Sequence, residues 1–369
     1  MEASYHGSAL LYRLLSDYPA EKLTIIETAT ESQSNRRLAN INYISRPIGN
    51  QRWLNTRFHP YAVAWFTHAG KRVAPQIVQS INGFKIESVL TAAHGFGWLA
   101  AAEMADKRGV PLHLIIHDDW PRVADVPPRF RPWLDEQFAK VYRQSKSRMC
   151  VSPAMARFYE ERYGVPAHVM YPSRSADCPA YEEPPPHLAN KPFTIAFAGT
   201  INSNGYIQAL LALQNSLKLI GGRLLIFGPL TSDIKLNDPN TEMYGLLSSS
   251  QLLKRLREEA DALFVPMSFA ASDRTNMEMA FPSKLADYTA IGLPLLIHGP
   301  SYCSAVIWAR ENPDVAEIVD SEPALSDAIA RLATNAELRV SLGRRALEVG
   351  RKYFSHSHAQ TMFYQCIST

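Results

Sequence analysis

The 369-residue chain has four cysteines, Cys150, Cys178, Cys303 and Cys366, and no two of them form a CxxC pair. Zinc, dithiol redox chemistry and haem attachment therefore lack ligands at the usual spacing, and a reduced, cytosolic setting is expected. No apolar run approaches the ~18 residues of a spanning helix, and the opening MEASYHGSALLYRLL has neither the basic start nor the cleavage site of a signal peptide. A soluble or peripheral protein is expected. The motifs G-x-x-x-x-G-K-S/T and G-x-G-x-x-G are both missing, which removes a P-loop enzyme and a standard dinucleotide domain. Ser8, Ser152 and Ser268 lie in no G-x-S-x-G elbow, so a hydrolase of that type has no nucleophile. Lys and Arg exceed Asp and Glu by only 38 − 35 = 3, too little to argue for nucleic acid as a partner of the whole chain. What is present is 46% hydrophobic residues, enough for real cores and against disorder.

Prolines cluster where aliphatic residues are scarce. YPSRSADCPAYEEPPPHLANKP, from Tyr171 to Pro192, holds Pro172, Pro179, Pro184, Pro185, Pro186 and Pro192 and reads as a linker. It sets residues 1–171 as a first domain, 172–192 as linker and 193–350 as a second domain, with 351–369 a last helix that crosses back to the first. In each half short apolar runs alternate with amphipathic stretches, the pattern of an α/β protein with two doubly wound parallel sheets. Strands are expected at 23–27, 88–91, 112–117, 149–152, 193–198, 223–227, 262–266 and 295–298. Helices are expected at 8–17, 97–108, 133–145, 206–220, 246–260, 283–291, 326–333 and 336–351. Two such domains place a functional cleft between the carboxyl ends of two facing sheets. One feature departs from the pattern: a glycine-containing loop, Tyr5-His6-Gly7-Ser8, opens the chain where a buried strand is normal. Either that strand is missing or the natural chain is longer; Gly7 and Ser8 are assigned to the acceptor side.

The most informative stretch is FPSKLADYTAIGLPLLIHGP, Phe281 to Pro300. Ser283 is placed to cap a helix whose free N–H groups suit an anion, and Lys284 adds a full charge there. Asp287 follows one turn later on the same face, at the reach of a ribose beyond a diphosphate. An ordinary capped helix with solvated Lys and Asp fits the same spacing. The run resembles the nucleotide-sugar site of GT-B glycosyltransferases of the family 4, glycogen-synthase-like group, through Asp287-Tyr288-Thr289-Ala290-Ile291-Gly292-Leu293-Pro294. FAGTINSNGY (Phe197–Tyr206) is similar to that group's first strand and phosphate loop, LLIFGP (Leu224–Pro229) to its second strand, and LLKRLREEADALFVPMS (Leu252–Ser268) to the helix and strand before the donor helix. Asn204 stands where the family carries a loop lysine, and Met279, beside Glu278, where it carries a glutamate. The donor's charge then falls to Lys284, with Arg274 assisting.

The first half resembles the family through LHLIIHDDWPR, Leu112 to Arg122, an apolar strand ending in His117-Asp118-Asp119. The resemblance implies that His117 and Asp118 touch the transferred sugar or the acceptor hydroxyl. The triplet also suits a Mg²⁺ site, or a plain strand end with Asp119 as helix cap. His94 ends another expected strand and would line the same cleft on the acceptor side, although a lone histidine there also reads as structural. From Ser32 to Ile86 the chain carries Arg36, Arg37, Arg46, Arg52, Arg57, Lys71, Arg72 and Lys85 and not one acid, interleaved with Tyr43, Trp53, Phe58, Tyr61, Trp65, Phe66 and Phe84. Basic residues among exposed aromatics suit an anionic membrane or a lipid diphosphate, with Arg52, Trp53 and Arg57 central; aromatics folded into a core beneath a solvated basic face read equally well.

The resemblance thus implies a metal-independent, retaining hexosyltransferase of GT-B architecture that needs no cofactor. It would move a sugar from a nucleotide-diphosphate sugar to an acceptor hydroxyl, with polysaccharide synthesis as the setting. Gly199 and Thr200 would supply loop amides and Tyr244, in a Met243-Tyr244-Gly245 turn, would contact the base. The acceptor would be a glycan or lipid-linked; the expected place is the cytoplasm, on the inner face of the plasma membrane, and nucleic acid is not an expected partner. A nucleotide-sugar 2-epimerase of the same fold and a non-catalytic GT-B-like subunit remain as alternatives.

Overall fold

The computed structural model describes residues 1, 6–29, 37–81, 83–186, 191–201, 204–229 and 238–368. Strands are β1 (Thr24–Glu27), β2 (Asn42–Ser45), β3 (Val89–Ala92), β4 (Leu112–Ile116), β5 (Ser147–Cys150), β6 (His168–Val169), β7 (Thr194–Ala198), β8 (Arg223–Phe227), β9 (Thr241–Tyr244), β10 (Ala262–Pro266), β11 (Leu295–His298) and β12 (Ala316–Val319). Helices are α1 (His6–Leu15), α2 (His59–Ser80), α3 (Gly97–Arg108), α4 (Trp120–Val123), α5 (Arg131–Gln144), α6 (Pro153–Tyr163), α7 (Asn204–Lys218), α8 (Ser249–Glu259), α9 (Arg274–Met279), α10 (Lys284–Tyr288), α11 (Ser304–Glu311), α12 (Leu325–Thr334), α13 (Ala336–Phe354) and α14 (His356–Ser368). The chain divides into two compact units, Met1–Tyr171 with Ala359–Thr369, and Pro172–His358.

In the second unit the strands form one parallel sheet in the order β12-β11-β10-β7-β8-β9. Every residue of β7, β10 and β11 is buried, as in a parallel sheet covered on both faces, and Ile195, Phe197 and Phe264 pack with Leu210 and Leu213 of α7 and Ile329 of α12. Order reverses between β7 and β10, the place where such sheets open a crevice at their carboxyl ends. The proline-rich stretch is packed on this unit: the buried Arg174 donates to the Ala286 carbonyl at 3.0 Å and the Thr289 hydroxyl at 3.2 Å, and Arg257 donates to the Glu183 carbonyl at 2.9 Å.

The first unit is built differently. Its strands form two parallel sheets, β1-β2 and β3-β4-β5-β6, with no ladder between them among the described residues. Leu14 and Leu15 of α1 and Ala359, Phe363 and Cys366 of α14 pack with Ile115 and Met149. Gly7 and Ser8 lie in the first turn of α1 rather than in a loop, because the helix that buries Leu14 and Leu15 extends back through them. The 22-residue α2 has no counterpart among the expected helices; Pro60 and Pro75 disguise it, yet Ala62, Val63, Phe66, Ala74 and Ile77 give it a buried face. Among the described residues no helix is long and apolar enough to cross a membrane.

His298, at the carboxyl end of β11, is buried between Phe264 and Phe269 with neither ring nitrogen hydrogen-bonded among the described residues, and burial lowers its pKa to about 4. The unfolded chain, titrating near 6.5, binds the proton first, so this group removes stability as pH falls from about 6.5 toward 4. His298→Phe should be at least as stable as the parent at pH 7.5 and gain on it by up to about 2 kcal/mol by pH 5, read from urea midpoints. Parallel pH profiles of the two proteins would contradict this reading.

Candidate active site

At the switch point of the second unit, β7 runs into Gly199, whose φ of +150° favours glycine. Its amide donates to the Phe227 carbonyl at 2.9 Å, and a Cβ on the neighbouring Gly228 would come 2.3 Å from the Gly199 carbonyl oxygen, so the two strand ends lie back to back. Thr200 is exposed beyond the turn. Lys284, first residue of α10, reaches to the same place: its Nζ lies 4.1 Å from the centre of the Phe197 ring and 5.2 Å from that of Tyr206, and 3.5 Å from where a Cβ on Gly199 would stand. No acidic partner within 4 Å accompanies it among the described residues, and burial lowers its pKa to about 7. An ammonium desolvated without a counter-charge is costly, and an anion at the loop relieves that cost.

Two residues hold α10 in place. The fully buried Tyr288 accepts from the Ala198 N–H at 2.6 Å and donates to the Ala198 carbonyl at 3.3 Å, which ties the helix to the end of β7. Arg174 ties down its other end through Ala286 and Thr289. Tyr288 was read in the sequence only as a letter of the donor motif and Arg174 not at all, because each acts through partners some 90 to 115 residues away. Asp287 is half-buried on α10, one turn after Ser283, and its charge is felt at Arg174.

Other donor-side expectations shift. Ser283 stands at the cap position, yet its backbone is already helical and its side chain is exposed and makes no cap hydrogen bond; at the other end α10 gives way to turns after Tyr288, so it runs five residues rather than nine. Pro282 supplies the carbonyl that receives the Leu285 amide instead. Arg274 is exposed and engaged: it donates to Glu278 at 2.8 Å and lies 4.5 Å over the Tyr302 ring. Tyr244 belongs to strand β9 and not to a turn; its ring lies 4.9 Å from that of Phe227, the Arg255 guanidinium covers it at 3.9 Å, and its hydroxyl meets Glu242 at 2.5 Å.

In the first unit the carboxyl ends of β3 and β4 bring His94, His117 and Asp118 together. Asp118 Oδ2 lies 3.3 Å from His117 Nε2 and 3.4 Å from His94 Nδ1, the imidazoles stack at 5.1 Å, and Trp120 closes on His94 at 4.5 Å. Their ligand atoms all fall within 4.8 Å, so the trio could also hold a divalent cation. Asp119 turns inward instead of capping α4: it is buried, accepts from Tyr159 at 2.7 Å and pairs with Arg122 at 3.3 Å.

The basic, aromatic segment divides. Phe66 is buried with Ile48 and Ala62, whereas Trp53 is 50% exposed, Tyr61 55% and Trp65 60%. Phe66 adjoins Trp65 on α2, so one lies on the buried face and the other points out. Arg52 and Arg57 are exposed, Arg57 lying 5.0 Å over the Phe58 ring; Arg36 lies outside the described residues.

Residues 24–173 match the family model described as Glycosyltransferase Family 4. Among solved structures, the Anabaena protein HepE in complex with UDP and glucose is 11% identical and has a TM-score of 0.70, over 99% of this chain and 96% of that one. WaaG, described as a glycosyltransferase involved in lipopolysaccharide biosynthesis, is 13% identical with a TM-score of 0.65, over 98% and 96%. A structure described as trehalose-6-phosphate from E. coli bound with UDP-2-fluoro glucose is 16% identical with a TM-score of 0.62, over 93% and 91%. No curated protein matches the chain. The chain therefore has the GT-B fold of these structures, and its residues 24–173 are similar to the Glycosyltransferase Family 4 model.

Proposed function

We propose that the protein is a retaining, metal-independent glycosyltransferase that moves a sugar from a nucleotide-diphosphate sugar to an acceptor hydroxyl in glycan or cell-surface polysaccharide synthesis. The observation that carries this is the desolvated Lys284 ammonium beside the Gly199 loop, without an acidic partner among the described residues. Departure of a nucleoside diphosphate builds anionic charge, and a fixed cation in a dry setting stabilises it more than a solvated one does. Gly199 and Thr200 offer loop backbone to the phosphates, Asp287 takes the ribose hydroxyls, and Tyr244 borders the base. On the first unit, His117 and Asp118, with His94 against both, receive the reacting hydroxyl and its proton. HepE was crystallised with UDP-glucose, which supports a uridine donor here. Retention rests on the family resemblance alone, and the anomeric coupling constant of the product tests it.

Incubation with labelled UDP, GDP and ADP sugars separates the readings. Consumption that needs a glycan or lipid acceptor marks a transferase, an isomerised donor an epimerase, and binding without turnover a non-catalytic subunit. Lys284→Ala should weaken nucleoside-diphosphate binding by about 1.5–3 kcal/mol while leaving nucleoside binding nearly unchanged; equal losses would remove Lys284 from the phosphate site. Asp287→Asn should weaken ribonucleotides more than their 2′,3′-dideoxy analogues.

Ala at His117 or Asp118 should lower kcat by about 10²–10⁴ with donor affinity little changed, as expected for groups that act on the transferred proton. A parallel rise in the donor's Kd would point instead to a donor contact or a local structural role.

The exposed Trp53, Tyr61 and Trp65 beside Arg52 and Arg57 support a peripheral association with the anionic inner face of a membrane, where a lipid-linked acceptor would be met. Vesicles containing phosphatidylserine should bind the protein at low salt, with binding lost as salt rises. Reversing Arg52 and Arg57 to Glu should weaken it by at least about 2 kcal/mol at roughly 1 kcal/mol per basic residue. Equal binding to neutral vesicles would turn the acceptor reading toward a soluble glycan.

A further inference from the structure

Read from the sequence, His117, Asp118 and Asp119 suit Mg²⁺, a hard cation served by two carboxylates. The structure exchanges one member of that set. Asp119 turns inward to Tyr159 and Arg122, and His94, from the end of β3, stands in its place beside His117 and Asp118. Two imidazoles and one carboxylate do not suit an ion that prefers an octahedron of oxygens; they suit one that binds nitrogen as readily as oxygen. Among the described residues this is the one group of three His, Cys, Asp or Glu side chains whose ligand atoms converge.

The separations within the trio distinguish a shared ion from a pair of hydrogen bonds. Asp118 Oδ2 lies 3.3 Å from His117 Nε2 and 3.4 Å from His94 Nδ1. A charge-assisted hydrogen bond between such groups spans about 2.7–2.9 Å, so both contacts are too long to be good ones. Bonds of about 2.0–2.1 Å in a tetrahedron, by contrast, set neighbouring ligand atoms about 3.3–3.4 Å apart. The remaining separation, within 4.8 Å, shortens by a turn of the exposed His94 side chain.

The frame around the trio is fixed. The Ala93 amide donates to the Ile115 carbonyl at 2.8 Å, which sets the end of β3 against β4, and the Trp120 amide donates to the Asp118 carbonyl at 2.9 Å. Trp120 is buried and its ring lies 4.5 Å from that of His94, while the Tyr159 hydroxyl holds Asp119 and with it the turn that carries Asp118. All three ligands stand at the ends of two adjacent strands of one sheet. Support of this kind is what a metal's ligands require from the residues behind them, and three protein ligands leave a fourth position to water.

We propose that His94, His117 and Asp118 form a zinc site, and that zinc is a reversible inhibitor of the protein. An ion bound there occupies the atoms that receive the reacting hydroxyl and its proton, so the metal-free protein turns over and the zinc-loaded protein does not; this second half rests on the function proposed above. Binding of the nucleoside diphosphate, which belongs to the second unit, is untouched.

The test uses the full chain, with free zinc set by a metal buffer. Competition with a chromogenic chelator should show about one tightly bound equivalent, and Co²⁺ in its place should give the intense visible absorption of a tetrahedral ion. His94→Gln and Asp118→Asn should each weaken zinc binding at least about tenfold while circular dichroism confirms the fold; His358→Ala, an exposed histidine of α14, should leave it unchanged. Mg²⁺ in about hundredfold excess should not displace the zinc. At free zinc about ten times its Kd, turnover should fall about tenfold, with nucleoside-diphosphate affinity unchanged and activity restored by a chelator. Zinc binding that survives both substitutions, loss of binding in His358→Ala, an octahedral cobalt spectrum, displacement by Mg²⁺, or full turnover with zinc bound would each overturn the proposal. Zinc held by this trio in a protein that turns over no nucleotide sugar would uphold the site and contradict the proposed function instead.

Discussion

The second unit is organised around one unfavourable placement: the half-buried ammonium of Lys284 held against the Phe197 ring, with no carboxylate within 4 Å among the described residues. Such a group persists only when the surrounding structure fixes it, and here the fixing is visible. Tyr288 pins α10 to Ala198 at the end of β7, Arg174 holds the opposite end of the helix, and Gly228 packs so closely on the Gly199 carbonyl that no side chain fits there. The amine is thereby held at the switch point of the sheet, where burial disfavours its charge and an arriving anion restores it.

How far the sequence foretold this depends on the range of each interaction. β8, β10 and β11 coincide with their apolar runs, since a strand buried on both faces is written as uninterrupted Val, Ile, Leu and Phe. Edge strands β9 and β12, half-buried, carry no such run and were not expected. Lys284 was legible through its motif, but the cap assigned to Ser283 was not realised, because Pro282 sets the first turn and Ser283 is already helical. The roles of Tyr288, quoted only within its motif, and of Arg174 were silent because what they do is decided by distant partners. In α2 two prolines hid a helix, and the adjacent Trp65 and Phe66 went to opposite environments, a split that composition alone cannot make.

The second unit closes six strands into a continuous sheet and gathers its charged chemistry at the point where the order reverses. In the first unit the described strands form the sheets β1-β2 and β3-β4-β5-β6, and a cavity beside β1 and β3 reaches His94 and His117. The imidazoles and Asp118 are brought together by strand ends on the β3-β4 side alone, so their geometry does not depend on a continuous sheet.

The central claim, that Lys284 receives the donor diphosphate, has a direct signature in protons. With a pKa of about 7 in the free protein, Lys284 is mostly neutral at pH 8, and an adjacent diphosphate raises its pKa again. Calorimetric titration with the tightest-binding nucleoside diphosphate at pH 8, in buffers of different ionisation enthalpy, should therefore show uptake approaching about one proton per ligand. Lys284→Met should show none from this group, leaving only the ligand's own contribution. Identical proton uptake by the two proteins would contradict the account.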